Sequence, residues 1–113
     1  MTPENVVQEN LDFYNQRDID GFISLLSDDI EIINLGENKP TIEGLSKVRE
    51  MYGELFNNSP QLHSTILKRI VIGNKVIDHE SIVGRNGMPE ILELVLIYEI
   101  DNEKIIKITV IRN

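Results

Sequence analysis

Cysteine and tryptophan are absent from this sequence, and positive charge is scarce. Without cysteine there is no disulfide framework, no thiolate nucleophile and no cysteine-based metal site. The absence is compatible with a reducing compartment, and a cytoplasmic location is expected. Eleven basic residues stand against 19 acidic ones, a net charge of -8. A nucleic-acid binder needs a basic face to neutralise phosphates, and none is visible, so no nucleic-acid partner is expected. The acidity reads as a solubilising surface. No apolar run approaches the ~20 residues of a membrane span, and Met1 to Asn5 lacks the basic start and apolar stretch of a secretory signal. No membrane association is expected.

What is present fits one domain spanning residues 1–113, since a chain of this length supports one core. Thr2-Pro3-Glu4 is a helix start, with a hydroxyl cap, proline at the first helical position and an early acid. Val7, Leu11 and Tyr14 then recur at helical spacing to about Gln16, with Val6, Asn10 and Phe13 beside them. Asp18 caps a short second helix with Ile19, Phe22, Ile23 and Leu26 on one face, ended by Ser27-Asp28-Asp29. Ile30 to Leu35 follows as a strand, with Ile30, Ile32 and Asn34 on one side. A third helix is predicted over about Gly44 to Asn57, its face lined by Leu45, Val48, Tyr52 and Leu55.

The second half reads as four long antiparallel strands: Leu62–Ile72, Lys75–Val83, Ile91–Ile100 and Lys104–Ile111. Gly73-Asn74, the stretch Gly84 to Pro89, and Asp101-Asn102 supply the turns. A two-residue turn pairs Ile72 with Lys75 and sorts the first hairpin into two sets. Ile66, Lys68, Ile70, Ile77, His79, Ser81 and Val83 form one set. Thr65, Leu67, Arg69, Val71, Val76, Asp78, Glu80 and Ile82 form the other, with Arg69 opposite Asp78 and diagonal to Glu80. Neither set is cleanly polar, so both sheet faces are expected to be covered. One is covered by the helices; for the other a second copy of the chain is the expected partner, giving a homodimer through the outer face.

The order helix, helix, strand, helix, four long strands resembles the nuclear-transport-factor-two-like superfamily, in its SnoaL-like and ketosteroid-isomerase-like branch. The phrases that carry the resemblance are Asp18 to Ile30, a D-x-D-G…L-x-x-D-D pattern, and Ile42 to Tyr52 opening the third helix. Val76 to Glu80 and Tyr98 to Ile105 look like the later strands of SnoaL-like members. The resemblance implies an α+β fold. A cone-shaped, curved, mixed but mainly antiparallel sheet would wrap around three helices of the N-terminal half, a cystatin-like α+β barrel with a pocket at its open end.

Fold of this kind does not fix a reaction. A ketosteroid isomerase would move a proton with a carboxylate base and hold the enolate with a tyrosine hydroxyl and a protonated carboxylic acid. The positions resembling those three hold Asn34, Asn10 and, less directly aligned, Leu96, so the usual isomerase set is missing. The Asp, Asp and Arg of limonene-epoxide-hydrolase-like relatives fall on Ser81, Val83 and Val110, and that set is missing too. Polar candidates for an aliphatic pocket remain: Tyr14, Asn34, Tyr52 and His79 as ligand-binding residues, with His79 also a candidate general base. Asp78 and Glu80 read as partners of Arg69 in a structural ion pair. No metal or cofactor is expected: His63 and His79 lie on different strands, and no Glu-x-x-His spacing or phosphate-binding glycine loop occurs. The expected function is binding or transforming a small apolar, polyketide- or steroid-like molecule; the alternative is a non-catalytic dimerisation or interaction module.

Overall fold

A computed structural model describes residues 1–112. Helix α1 spans Pro3–Gln16, α2 Ile19–Ser24 and α3 Leu45–Asn57; the strands are β1 Leu26–Asn34, β2 Ile42–Glu43, β3 His63–Ile72, β4 Lys75–Val83, β5 Leu92–Asp101 and β6 Lys104–Ile111. The α+β architecture is the expected one. One six-stranded sheet runs in the order β2-β1-β6-β5-β4-β3, antiparallel throughout except for the parallel pair β1–β6. The sheet is curved and unclosed, with the helices on its concave side. No helix is long and apolar enough to cross a membrane among the described residues.

The helices form where the sequence signals them. Thr2 closes a capping box with Asn5 at the start of α1, and Asp18 accepts from the Gly21 amide at the start of α2. α1 and α2 approach so closely that a Cβ on Gly21 would lie 2.2 Å from the Phe13 ring. The core lies between helices and sheet. Val6, Val7, Ile30, Val48, Leu62, Val76, Ile82 and Ile105 are at most 2% exposed, each stabilising the fold by about 1.5–3 kcal/mol. Arg69 also ties α1 to the sheet. It grips Asp78 with two bonds, at 2.7 and 2.9 Å, and reaches Gln8 Oε1 at 2.9 Å.

Two local features differ from the sequence reading. β1 begins at Leu26, not Ile30: after Leu26 pairs with Ile105, the register shifts across Ser27 to Ile30 before Glu31 pairs with Lys107. The polar residues of that stretch interrupt the ladder instead of preceding it. In β3, the pairing passes from Ile66–Glu80 to Lys68–His79, so Leu67 is an extra residue, a bulge. The bulge moves Ile66 out of the His79 set. Ser64 and Ile66 therefore share the concave face with Glu80, while the alternation is as expected from Lys68 onward.

The convex face shows a regular pattern. One row across the sheet reads Ile70, Ile77, Ile97, Thr109 and Ile33. The next row reads Ile72, Lys75, Glu99, Lys107, Glu31 and Glu43, with alternating charge through its middle. Opposite charges at cross-strand positions favour each other.

Candidate functional site

Beneath the helices, the concave face encloses a cavity of about 240 Å³. Its aliphatic wall comes from alternate residues of the sheet: Ile82 on β4, Leu94 and Leu96 on β5, Ile108 and Val110 on β6. The helices contribute Asn10 and Tyr14 from α1, Phe22 from α2, and Tyr52 from α3. Tyr14, Phe22, Tyr52 and Phe56 form one aromatic cluster, with ring centroids 4.9–6.5 Å apart. Such packing fixes the rings, and so the direction of each hydroxyl.

Three of the four expected ligand-binding residues meet here: Tyr14, Asn34 and Tyr52 all line the cavity. Tyr14 is 8% exposed, and its hydroxyl has no hydrogen-bond partner. A buried hydroxyl without a partner costs free energy, so the Tyr14 hydroxyl is an unmet donor on the cavity wall. Burial pushes the Tyr14 hydroxyl well above its ordinary range, with the neighbouring Tyr52 adding to the shift and Arg85 opposing it. Burial likewise raises Tyr52 and Tyr98. All three are neutral donors at physiological pH. Asn34 donates to Glu37 Oε2 at 3.0 Å and to Thr41 Oγ1 at 3.3 Å. Asn10 is 2% exposed and donates to the Phe22 carbonyl at 2.9 Å, a bond that joins α1 to α2.

His79 does not join them. It alternates with Asp78 and Glu80, both of which point to the concave side, so its ring projects from the convex face. There it donates from Nε2 to Glu93 Oε1 at 2.5 Å. The aliphatic wall belongs to the other side of β4, which corrects the placing of His79 among the pocket residues and as its general base.

The acid on the cavity wall is Glu80. The sequence reading places it with Asp78 in the ion pair of Arg69, but Arg69 is spent on Asp78 and Gln8. Glu80 is 4% exposed and receives one hydrogen bond, from Ser64 Oγ to Oε2 at 2.8 Å. Ser64 is itself held in place: its amide donates to Asn15 Oδ1 at 2.8 Å, and its carbonyl accepts from Asn15 Nδ2 at 3.0 Å. The Glu80 carboxyl is raised to about 7: burial is the largest cause, the Ser64 bond opposes it, Asp78 adds to it and Arg85 opposes it. The signal in the sequence is arithmetic: one arginine faces two acids on one strand side, and a guanidinium gripping one carboxylate with two bonds leaves the other acid over.

Arg85 and Arg112 also line the cavity. Sequence pattern anticipates neither, because one sits in a loop and the other beyond the last strand, where no periodicity points a side chain. Among the described residues, no three His, Asp or Glu side chains gather closely enough to hold a metal ion.

A curved sheet that folds helices onto an aliphatic cavity, with a few polar groups aimed inward, defines the cone-fold proteins of nuclear-transport-factor-two-like type. The sequence matches the model of the SnoaL-like domain over residues 7–108. The chain belongs to that family. Among curated proteins, none matches the sequence. Among solved structures, an uncharacterised cystatin-fold protein from Novosphingobium aromaticivorans superposes with a TM-score of 0.89 at 24% identity, covering 99% of each chain. An LEH-like epoxide hydrolase of Mycobacterium tuberculosis superposes at 0.80 and 15% identity, over 96% of this chain and 80% of that one. A protein from a Jannaschia species assigned as a SnoaL-like polyketide cyclase gives 0.76 at 15%, over 96% and 83%. At these identities the likeness is one of fold.

Proposed function

We propose that the protein binds a small, largely apolar carbonyl compound in the cavity and moves a proton on it with Glu80. The observation that carries this reading is a buried carboxyl group and an unpartnered buried hydroxyl, Glu80 and Tyr14, on the wall of one aliphatic cavity. A carboxyl near 7 is divided between acid and base at neutral pH, the condition for taking a proton and returning it. In the proposed cycle, ionised Glu80 removes a proton from the carbon beside the carbonyl. The electron pair shifts to the oxygen, and Tyr14 donates a hydrogen bond to the enolate. Glu80 then returns the proton to carbon. No cofactor enters this cycle.

The test uses 2-tetralone, a two-ring ketone with exchangeable protons, in deuterated buffer. The protein should accelerate deuterium uptake, and Glu80→Gln should remove the acceleration by roughly a hundredfold or more. Tyr14→Phe should cost about tenfold or more while leaving Glu80 in place. Uptake by Glu80→Gln at the rate of the unmodified protein would refute the role of Glu80.

The interaction-module reading has its own support on the convex face. Ile77 and Ile97 are half-buried at its centre, Ile70 is 44% exposed, and the neighbouring row of charge alternates in sign. Elsewhere a molecule of net charge -8 repels its copies; the middle of this row, Lys75, Glu99, Lys107 and Glu31, pairs its charges. A second copy seated there is compatible with a ligand in the cavity on the opposite side.

A further inference from the structure

The chain has five arginines, and their distribution is uneven. Arg17 is spent on the carbonyls of Asn15 and Leu62, Arg49 on Asp20, and Arg69 on Asp78. The two that remain, Arg85 and Arg112, both line the cavity. Among the described residues neither is paired with a carboxylate. Arg112 is exposed and Arg85 half-buried, whereas Glu80 is buried, so the guanidinium groups lie toward solvent and the acid lies within.

Arg85 is held by its loop. The preceding Gly84 has a φ of 76°, and a Cβ there would stand 2.4 Å from the Gln61 carbonyl oxygen. The following Asn86 donates its amide to Ser59 Oγ at 2.7 Å, and Ser59 is fully buried. The Met88 amide donates to the Arg85 carbonyl at 3.0 Å. A pinned backbone on both sides presents this guanidinium to the cavity. Its field reaches Glu80, Tyr14 and Tyr52, lowering the carboxyl and hydroxyl groups alike.

We propose that the ligand of this cavity is an amphipathic monocarboxylate of one or two rings, with its carboxylate met by Arg85 and supported by Arg112. The inference rests on the small-molecule reading above and narrows it. Arginine presents a planar fork of donors that matches a carboxylate, and a partly buried site strengthens the pair. The aliphatic wall takes the apolar body, and the Tyr14 hydroxyl takes a second polar atom deeper in. A cavity of about 240 Å³ lies below the range of ~300–1,000 Å³ usual for drug-sized ligands, which favours one or two rings over a four-ring steroid. In a chain of charge -8, an anionic ligand needs a local positive site to overcome the general repulsion.

The test compares 2-naphthoate with 2-naphthamide, its neutral counterpart of the same shape, by calorimetry. The unmodified protein should bind naphthoate about tenfold or more tighter than the amide. Arg85→Gln should bring the two within about threefold, and Arg85→Lys should keep part of the preference. Raising sodium chloride from about 50 to about 500 mM should weaken naphthoate and leave naphthamide unchanged, a measurement that stands even if Arg85→Gln fails to fold. Equal binding of acid and amide would overturn the anion inference and leave the small-molecule reading intact. A preference for naphthoate that persists in folded Arg85→Gln would overturn the assignment to Arg85. Binding of neither compound would overturn the inference together with the reading it rests on.

Discussion

At the residue scale, Glu80 places function and stability in opposition. Its carboxyl group is carried at about 7 in the fold, against 4.5 for the ordinary side chain. Between those two values the folded chain keeps a proton that the unfolded chain releases. The stabilising contribution is therefore complete below about 4.5 and is lost as pH rises to 7. The difference is on the order of 3 kcal/mol over that window. Glu80→Gln keeps an acceptor for Ser64 and has no proton to lose. It should flatten the decline of the melting temperature between about pH 4.5 and 7 and melt above the parent at pH 8, as followed by circular dichroism. An unchanged pH profile would show that Glu80 titrates normally. Sequence pattern locates Tyr14, Asn34 and Tyr52, because the helix repeat and the strand alternation place them on the inner side. Pattern also puts His79 and Glu80 on opposite sides of β4 correctly. Choosing the inner side requires knowing which set meets the helices, and two mixed sets do not distinguish them.

At the element scale, the hairpins are legible because their turns have strict backbone needs. Gly73 takes a positive φ between β3 and β4. Between β5 and β6 the turn residues are Asn102 and Glu103, one place beyond the expected Asp101-Asn102, and both take a positive φ, which the glutamate does not signal. The Leu67 bulge is not legible: an inserted residue changes no composition and carries no turn chemistry, and its cost is settled by the packing of Ser64 and Ile66. The loop of Arg85 depends on Gly84 in two ways, the left-handed φ and the contact with Gln61. Gly84→Ala should destabilise the fold by about 1–3 kcal/mol, lowering the melting temperature by several degrees. The same change should weaken naphthoate more than naphthamide, since it displaces the arginine loop. A melting curve identical to the parent's would show that the loop can shift without penalty.

At the scale of the whole molecule, the helices cover one side of the sheet and leave the other open. Sedimentation velocity at tens of micromolar should show a dimer. Ile97→Glu, at the centre of the Ile70–Ile77–Ile97 row, should dissociate it through the burial of an unpaired charge, while leaving 2-tetralone exchange close to that of the parent. Sedimentation of the unmodified chain as a monomer at that concentration would remove the proposed partner.

The bulge in β3 has a consequence for the chain in a concentrated protein solution. β3 is an outermost strand, ten residues long, with Leu67, Val71 and Ile72 uncovered. A straight border of that length would invite foreign segments to add themselves one after another, as fibrils grow. The inserted residue breaks the even spacing of the free amide and carbonyl groups, and Lys68 sets a charge beside the break. The kink that turns Ser64 toward Glu80 thus also leaves this margin a poor template for accretion.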